Sequence, residues 1–132
     1  MNERITTAGI ALKNGLVFVA HREEGGALSG KWEFPGGKNR YGESEEDTLK
    51  REYLEELGIE ITVGSLFAAY DFTNKDTLYH LKAYFIEHRT ENYELSVHTE
   101  VKWVTPDELS KLEMGGSDGK IRTELIHYLL NS

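Results

Sequence analysis

A helix marked at both of its ends is the strongest constraint this chain carries. Ser44 is placed as an N-cap, Asp47 three residues on approximates a capping box, and Gly58 stands where a left-handed residue ends a helix. Glu45, Glu46 and Asp47 crowd the positive end of the helix dipole. Leu49, Tyr53 and Leu57 recur at spacing four, so the helix over 44–57 must lie with that stripe on a core. Glu52, Glu55 and Glu56, at i, i+3 and i+4, project from another face. Any fold the chain adopts has to bury the first face and give the second either solvent or a cation.

The flanking segments read as strands. Apolar runs over 5–12 and 16–20 are joined by Lys13-Asn14-Gly15, and an Asn-Gly pair in that position predicts a hairpin. A polar, glycine-bearing loop follows over 21–31, and the character changes again at Trp32. Residues 61–72 and 77–87, rich in β-branched and aromatic side chains, predict two strands around Asn74-Lys75-Asp76, and 100–104 a shorter one. Thr105-Pro106 predicts an N-cap and a proline at the first helical position, opening a short helix through Leu112. After Gly115-Gly116 a last helix is expected over 120–130, with Ile121, Leu125 and Leu129 on one stripe. The order β-β-α-β-β-β-α-α predicts an α/β fold, a mixed sheet flanked by helices, in one domain spanning 1–132.

Composition narrows the function classes. Fifteen Lys and Arg against 23 Asp and Glu leave a net charge of −8, which repels a nucleic-acid backbone and argues against a polymer-binding role. The absence of cysteine excludes disulfides, thiolate nucleophiles and Cys-ligated zinc. No apolar run approaches the roughly 20 residues of a membrane span, and the first residues lack the apolar stretch of a secretion signal, so a cytoplasmic protein with no membrane partner is expected.

The three helical glutamates could be a solvated acidic face, as most are. Three neighbours argue otherwise. Arg51 adjoins them and can hold a carboxylate by two hydrogen bonds. Glu43 lies just before the helix, and Phe34-Pro35-Gly36-Gly37 forms an irregular loop whose carbonyls could add oxygen ligands. An all-oxygen donor set suits a hard divalent cation, Mg²⁺ with Mn²⁺ as the alternative, and such ions commonly hold phosphate oxygens and orient water.

Gly37, five residues, Glu43, seven residues, Arg51-Glu52-Tyr53, one residue, Glu55-Glu56, one residue, then Gly58-Ile59 resembles the Nudix box. All its fixed Gly, Glu and Arg positions are met, and Tyr53 stands where an aliphatic residue is usual but should still pack inward. Lys31-Trp32-Glu33-Phe34-Pro35-Gly36-Gly37-Lys38 and Val101-Lys102-Trp103-Val104-Thr105-Pro106 resemble the flanks of the box in the MutT-type branch. The resemblance extends from about Ile5 to Leu129 and implies a Nudix-type mixed sheet sandwiched between helices.

It also implies roles. The Gly36 carbonyl, Glu52, Glu55 and Glu56 would surround the divalent metal, with Glu52 a candidate general base towards water. Glu43 would be a secondary ligand or would steady the loop, and Arg51 would orient the glutamates. Arg22 would meet substrate phosphates, and Phe34, Gly37, Lys38 and Asp118 complete the substrate-binding candidates. The implied reaction is attack of water on a nucleoside polyphosphate, releasing nucleoside monophosphate and pyrophosphate. The favoured substrate is an oxidised purine such as 8-oxo-dGTP, as in nucleotide-pool sanitisation and DNA repair, with (d)CTP the nearest alternative. A monomer or homodimer acting on a small nucleotide is expected.

One position departs from the branch. Where many MutT-type relatives carry a further metal-binding glutamate, six residues before the tryptophan matched by Trp103, this chain has Val97. Glu100 or Glu94 could substitute, or be ordinary exposed acids. Trp32, Phe34, Tyr79 and Phe85 are aromatic candidates for stacking on a base, although aromatics at strand spacing are mostly core. Asp118 either meets the base edge or caps the last helix. The five histidines form no close i, i+4 pair and read as surface or core, Ser29 and Ser117 have no histidine base signature, and Gly25-Gly26 lacks the ending of a phosphate loop. Two rivals stand beside the enzyme reading, a Nudix-fold nucleotide-binding module without catalysis and an acidic docking surface.

Overall fold

The computed structural model describes residues 1–23 and 30–131; the Gly25-Gly26 pair and Ser29 lie outside the described residues. Chain order is β1 (Asn2–Lys13), β2 (Leu16–Arg22), β3 (Trp32–Glu33), α1 (Glu45–Leu57), β4 (Ile61–Asn74), β5 (Thr77–His88), β6 (His98–Val104), α2 (Pro106–Lys111) and α3 (Gly116–Leu130). The expected hairpin closes through Asn14 at φ 53° and Gly15 at φ 78°. Ser44 caps α1 by accepting from the Asp47 N–H, while the reciprocal half of a capping box is made instead at α2, between Thr105 and Glu108.

Strand order is β3-β2-β1-β5-β4, with β6 on the other edge of β2. The sheet is mixed because β1 changes partner along its length. Asn2 to Ala11 runs parallel to Thr77 to Ile86, and only Leu12 and Lys13 pair antiparallel with β2. On the β2 edge that β1 leaves, Trp32 and Glu33 take over the pairing with His21 and Ala20.

Each face of the sheet carries a core. Leu49, Tyr53 and Leu57 of α1 pack with Ala11, Phe18, Ile59, Ile61 and Ile86. On the opposite face Leu109 of α2 and Ile121 and Leu125 of α3 close over Ile10, Val17, Val19, Leu81 and Ala83. This is an α/β sandwich of the expected class. Tyr53, aromatic where aliphatic residues are usual, is fully buried, and its hydroxyl donates to the Gly9 carbonyl at 3.3 Å. Gly9 makes the room, because a Cβ there would stand 2.6 Å from that hydroxyl oxygen.

Four elements start where the sequence reading did not place them, and each start has a non-local cause. β1 starts at Asn2 because β5 supplies partners for its polar first residues. β3 is too short to show a period, and β6 begins at His98 because that residue pairs with Arg22. α3 begins at Gly116, its glycine-bearing first turn tied down by Asp118, whose Oδ1 accepts from the Phe34 N–H at 3.1 Å. No helix among the described residues is long and apolar enough to cross a membrane.

His88, at the end of β5, lies among the rings of Phe18, Tyr53, Tyr93 and Trp103, with Nδ1 2.8 Å from the Tyr93 hydroxyl and Nε2 buried without a hydrogen-bond partner among the described residues. Burial pushes its pKa down to about 4, and nearby Glu91 only partly opposes this. Between about pH 6.5 and 4 the unfolded chain therefore binds a proton that the folded one refuses, so stability is lost as pH falls through that window. By pH 5 the loss should reach about 1–2 kcal/mol after allowance for residual solvent contact. Urea unfolding at pH 7 and pH 5 should show this loss in the native sequence, and His88→Phe should remove most of it.

Candidate active site

The site is built on β1. Backbone N–H groups of Gly9 and Thr7 donate to the Pro35 and Gly37 carbonyls, both at 2.8 Å, so the segment after β3 continues along the edge of β1. The Gly36 carbonyl, between those two, makes no hydrogen bond among the described residues. Both glycines are required by close approach. A Cβ on Gly36 would lie 2.1 Å from the Thr7 carbonyl oxygen, and one on Gly37 2.4 Å from the carboxyl carbon of Glu52. Only bare backbone fits between the strand and the carboxylate of α1.

Arg51 organises the carboxylates. Its Nε donates to Glu43 Oε2 at 2.6 Å and its Nη2 to Glu43 Oε1 at 3.0 Å, the two-pronged geometry that guanidinium favours. Nη1 reaches Glu52 at 2.8 Å and Glu55 at 3.3 Å, while Nη2 also binds the Lys38 carbonyl at 3.1 Å. Glu43 additionally accepts from the Arg40 N–H and stands 2.9 Å from the Thr48 hydroxyl. Its carboxyl is held down at about 2, chiefly by the Arg51 hydrogen bond. With both oxygens engaged, Glu43 anchors the loop to the helix.

Glu56, one turn beyond Glu52, is under the opposite stress. Its Oε1 is buried with no hydrogen-bond partner among the described residues; the nearest cation, Arg22 Nη1, is 3.8 Å away. Burial first, then the charges of Glu33 and Glu52, push its carboxyl up to about 8 against the pull of Arg22. A buried carboxylate oxygen without a donor is costly, and a divalent cation is what would satisfy it. The Gly36 carbonyl and the carboxylates of Glu52 and Glu56 are all hard oxygen donors, the donor class such an ion takes. Glu55, half exposed, is tied to Arg51 and, at 3.7 Å, to Arg40 on the solvent side.

The remaining candidates divide. Arg22 reaches the site, with Nη1 3.1 Å from Glu33 Oε2. The Phe34 ring does not, because it is 3% exposed within the core; only its backbone N–H is used, by Asp118. Lys38 sets its ammonium over the Tyr79 ring at 5.5 Å. Asp118 sits inside the first turn of α3 rather than at its cap, which is Gly115, and burial pushes its carboxyl up to about 7. Glu100 stands on the exposed surface of β6 beside Lys102 at 3.6 Å, and Glu94 closes the end of α1 by donating its N–H to Leu57. The group of acidic and histidine side chains close enough to share an ion, among the described residues, is Glu33, Glu56 and His98. Sequence reasoning gave Glu33 no role of its own and read His98, with the other histidines, as surface or core; the structure buries His98. The only signal was that Glu33 adjoins the glycine loop and His98 adjoins Val97.

Residues 7–124 match the family model described as NUDIX domain, and the chain belongs to that family: it is a Nudix hydrolase, a class that generally uses a divalent metal and acts on small nucleotide substrates. Within the family it is 32% identical over 111 residues to the CTP pyrophosphohydrolase of Escherichia coli (strain K12), covering 84% of this chain and 82% of that protein. It is 40% identical over 73 residues to the 8-oxo-dGTP diphosphatase of Proteus vulgaris, 54% of this chain and 65% of that one. The solution structure of the E. coli ORF135 protein superposes with a TM-score of 0.85 at 28% identity, covering 96% of this chain and 91% of that chain.

Proposed function

We propose that the chain is a Mg²⁺-dependent nucleoside triphosphate pyrophosphohydrolase of the cytoplasmic nucleotide pool, with an oxidised purine such as 8-oxo-dGTP its preferred substrate. The observation that carries the reading is Glu56 Oε1, buried and, among the described residues, without a hydrogen-bond partner, with burial, Glu33 and Glu52 all opposing its charge. The 8-oxo-dGTP diphosphatase of P. vulgaris supports the choice of substrate. A second reading, (d)CTP as substrate, is favoured by the E. coli CTP pyrophosphohydrolase, which aligns over more of the chain.

Gly36 through its carbonyl, Glu52, Glu55 and Glu56 would hold the cation, which when bound neutralises the polyphosphate and makes water more acidic. Glu52 accepts a proton from the attacking water as the water oxygen bonds to phosphorus at the α–β bridge; the P–O bond from that phosphorus to the bridging oxygen breaks, and nucleoside monophosphate and pyrophosphate separate. Arg51 keeps Glu52 aimed at the Gly37 backbone, and Glu43 keeps Arg51 in place. Arg22, a third exposed, offers its guanidinium to the phosphates. Asp118, titrating near neutrality, can either donate to or accept from a base edge with the oxygen that Phe34 does not use.

Pyrophosphate release from a panel of oxidised and ordinary purine and pyrimidine triphosphates tests this. The oxidised purine should give the highest kcat/KM, and EDTA should abolish release. Highest kcat/KM with cytidine triphosphates establishes the second reading, and metal-independent binding with no release from any nucleotide refutes both. Asp118→Asn, which keeps the bond to Phe34 but fixes its donor and acceptor, should lower kcat/KM for the preferred base about tenfold without lowering that for other bases as much.

A further inference from the structure

His98 is the first residue of β6, opposite Arg22 in the β2–β6 ladder, and its side chain is wholly buried. Its Nε2 lies 2.8 Å from Glu33 Oε2. The same oxygen receives Arg22 Nη1 at 3.1 Å, and that nitrogen stands 3.8 Å from Glu56 Oε1. The three contacts form one line from the interior to the carboxylates of α1, and Arg22, a third exposed, is its most open member.

The other ring nitrogen fixes the proton. Nδ1 is buried and has no hydrogen-bond partner among the described residues. A proton on Nδ1 would be a buried donor with nothing to receive it, whereas an imidazole protonated on Nε2 spends its one N–H on Glu33. A metal ligated through Nε2 would drive the proton to Nδ1, and ligating histidines need an acceptor on that second nitrogen. Proximity to Glu33 and Glu56 therefore does not make His98 a metal ligand.

We propose that His98 is a positioning residue for the hydrolysis, acting through Glu33 on Arg22. Its N–H stops the buried Glu33 carboxylate from turning, and the fixed carboxylate holds the guanidinium off Glu56 and towards the phosphates. Without that bond, Arg22 is free to close the gap to Glu56 and is lost to the substrate. The inference rests on the reading of Arg22 as a phosphate contact.

The tautomer is tested without turnover, by long-range proton–nitrogen correlation of the imidazole in the full chain. Protonated Nε2 and bare Nδ1 are expected, and the reverse overturns the proposal. In kinetics at saturating Mg²⁺, His98→Leu should raise KM for the nucleoside triphosphate about tenfold with kcat within about threefold. His98→Gln, whose amide can donate from near the Nε2 position, should restore KM to within about threefold. His98→Leu should add nothing in an Arg22→Ala background. If the leucine variant does not fold, His98→Asn, too short to reach Glu33, takes its place. An unchanged KM in His98→Leu, or effects of the two sites that multiply, overturns the role of His98 alone. An unchanged KM in Arg22→Ala overturns the phosphate reading and this proposal with it.

Discussion

Glu56→Gln should cut turnover at least about a hundredfold while leaving the metal-free protein as stable as before or more so. The two effects have one cause. Glu56 is buried beside Glu33 and Glu52, and one of its oxygens has no donor among the described residues, so in the absence of a cation it is a burden to the fold. An amide of the same size removes the repulsion and brings an N–H that Glu33 or Glu52 can accept. It also removes the charge that makes the site worth occupying. Melting curves should show the variant about 2–4 °C above the native chain without metal. Adding Mg²⁺ or Mn²⁺ should raise the native melting temperature and leave that of the variant almost unmoved. Native-like pyrophosphate release by Glu56→Gln would remove this residue from the chemistry.

Arg51→Ala should do the opposite to stability. That side chain joins Glu43, Glu52, Glu55 and the Lys38 carbonyl, and without it the largest influence holding Glu43 at about 2 is gone. The loop before α1 and the helix would then carry unscreened carboxylates against one another. A fall in melting temperature of at least about 5 °C is expected, with turnover reduced about 10- to 100-fold through misdirected glutamates. Arg51→Lys should recover only a minor part of either loss, because an ammonium is a point charge and cannot span Glu43 and Glu52 in one plane. Glu43 also sets a pH signature. Its carboxyl is lowered in the folded state, so the stability it lends is present above its ordinary value of 4.5 and lost as pH falls towards 2. Arg51→Ala should flatten that acid limb, and a variant that keeps it would show that some other cation holds Glu43.

Local chemistry explains what could be read in advance. Ser44, Gly58 and the stripe of Leu49, Tyr53 and Leu57 act within a few residues of one another, so the ends and buried face of α1 were visible, as was the Asn14-Gly15 turn. The box spacing drew attention to Glu52, Glu55, Glu56, Arg51 and Glu43 before any geometry. Glu33 and His98 escaped because neither has a partner nearby in the chain. They meet because β2 pairs with β3 along one edge and with β6 along the other. The register of β6 decides the outcome at Val97, whose carbonyl receives the Glu23 N–H, while the next residue turns inward to Glu33. Asp118 was legible as a candidate, but a glycine-bearing turn hid the fact that it belongs to α3.

The double pairing of β1 governs how the protein must assemble. The Gly36-Gly37 backbone hangs on Thr7 and Gly9, and that stretch of β1 is itself held by β5, with Thr7 opposite Lys82 and Gly9 opposite Tyr84. A parallel pairing between segments so far apart along the chain closes late and slowly, since the entropy of the intervening loop opposes it. During biosynthesis the helix and hairpin can form early, but the Gly36-Gly37 backbone has no settled strand to hang on until the residues of β5 have emerged and docked. Competence for hydrolysis is thus coupled to completion of the sheet, and a nascent chain halted before Thr77 would carry the entire signature motif and no working centre.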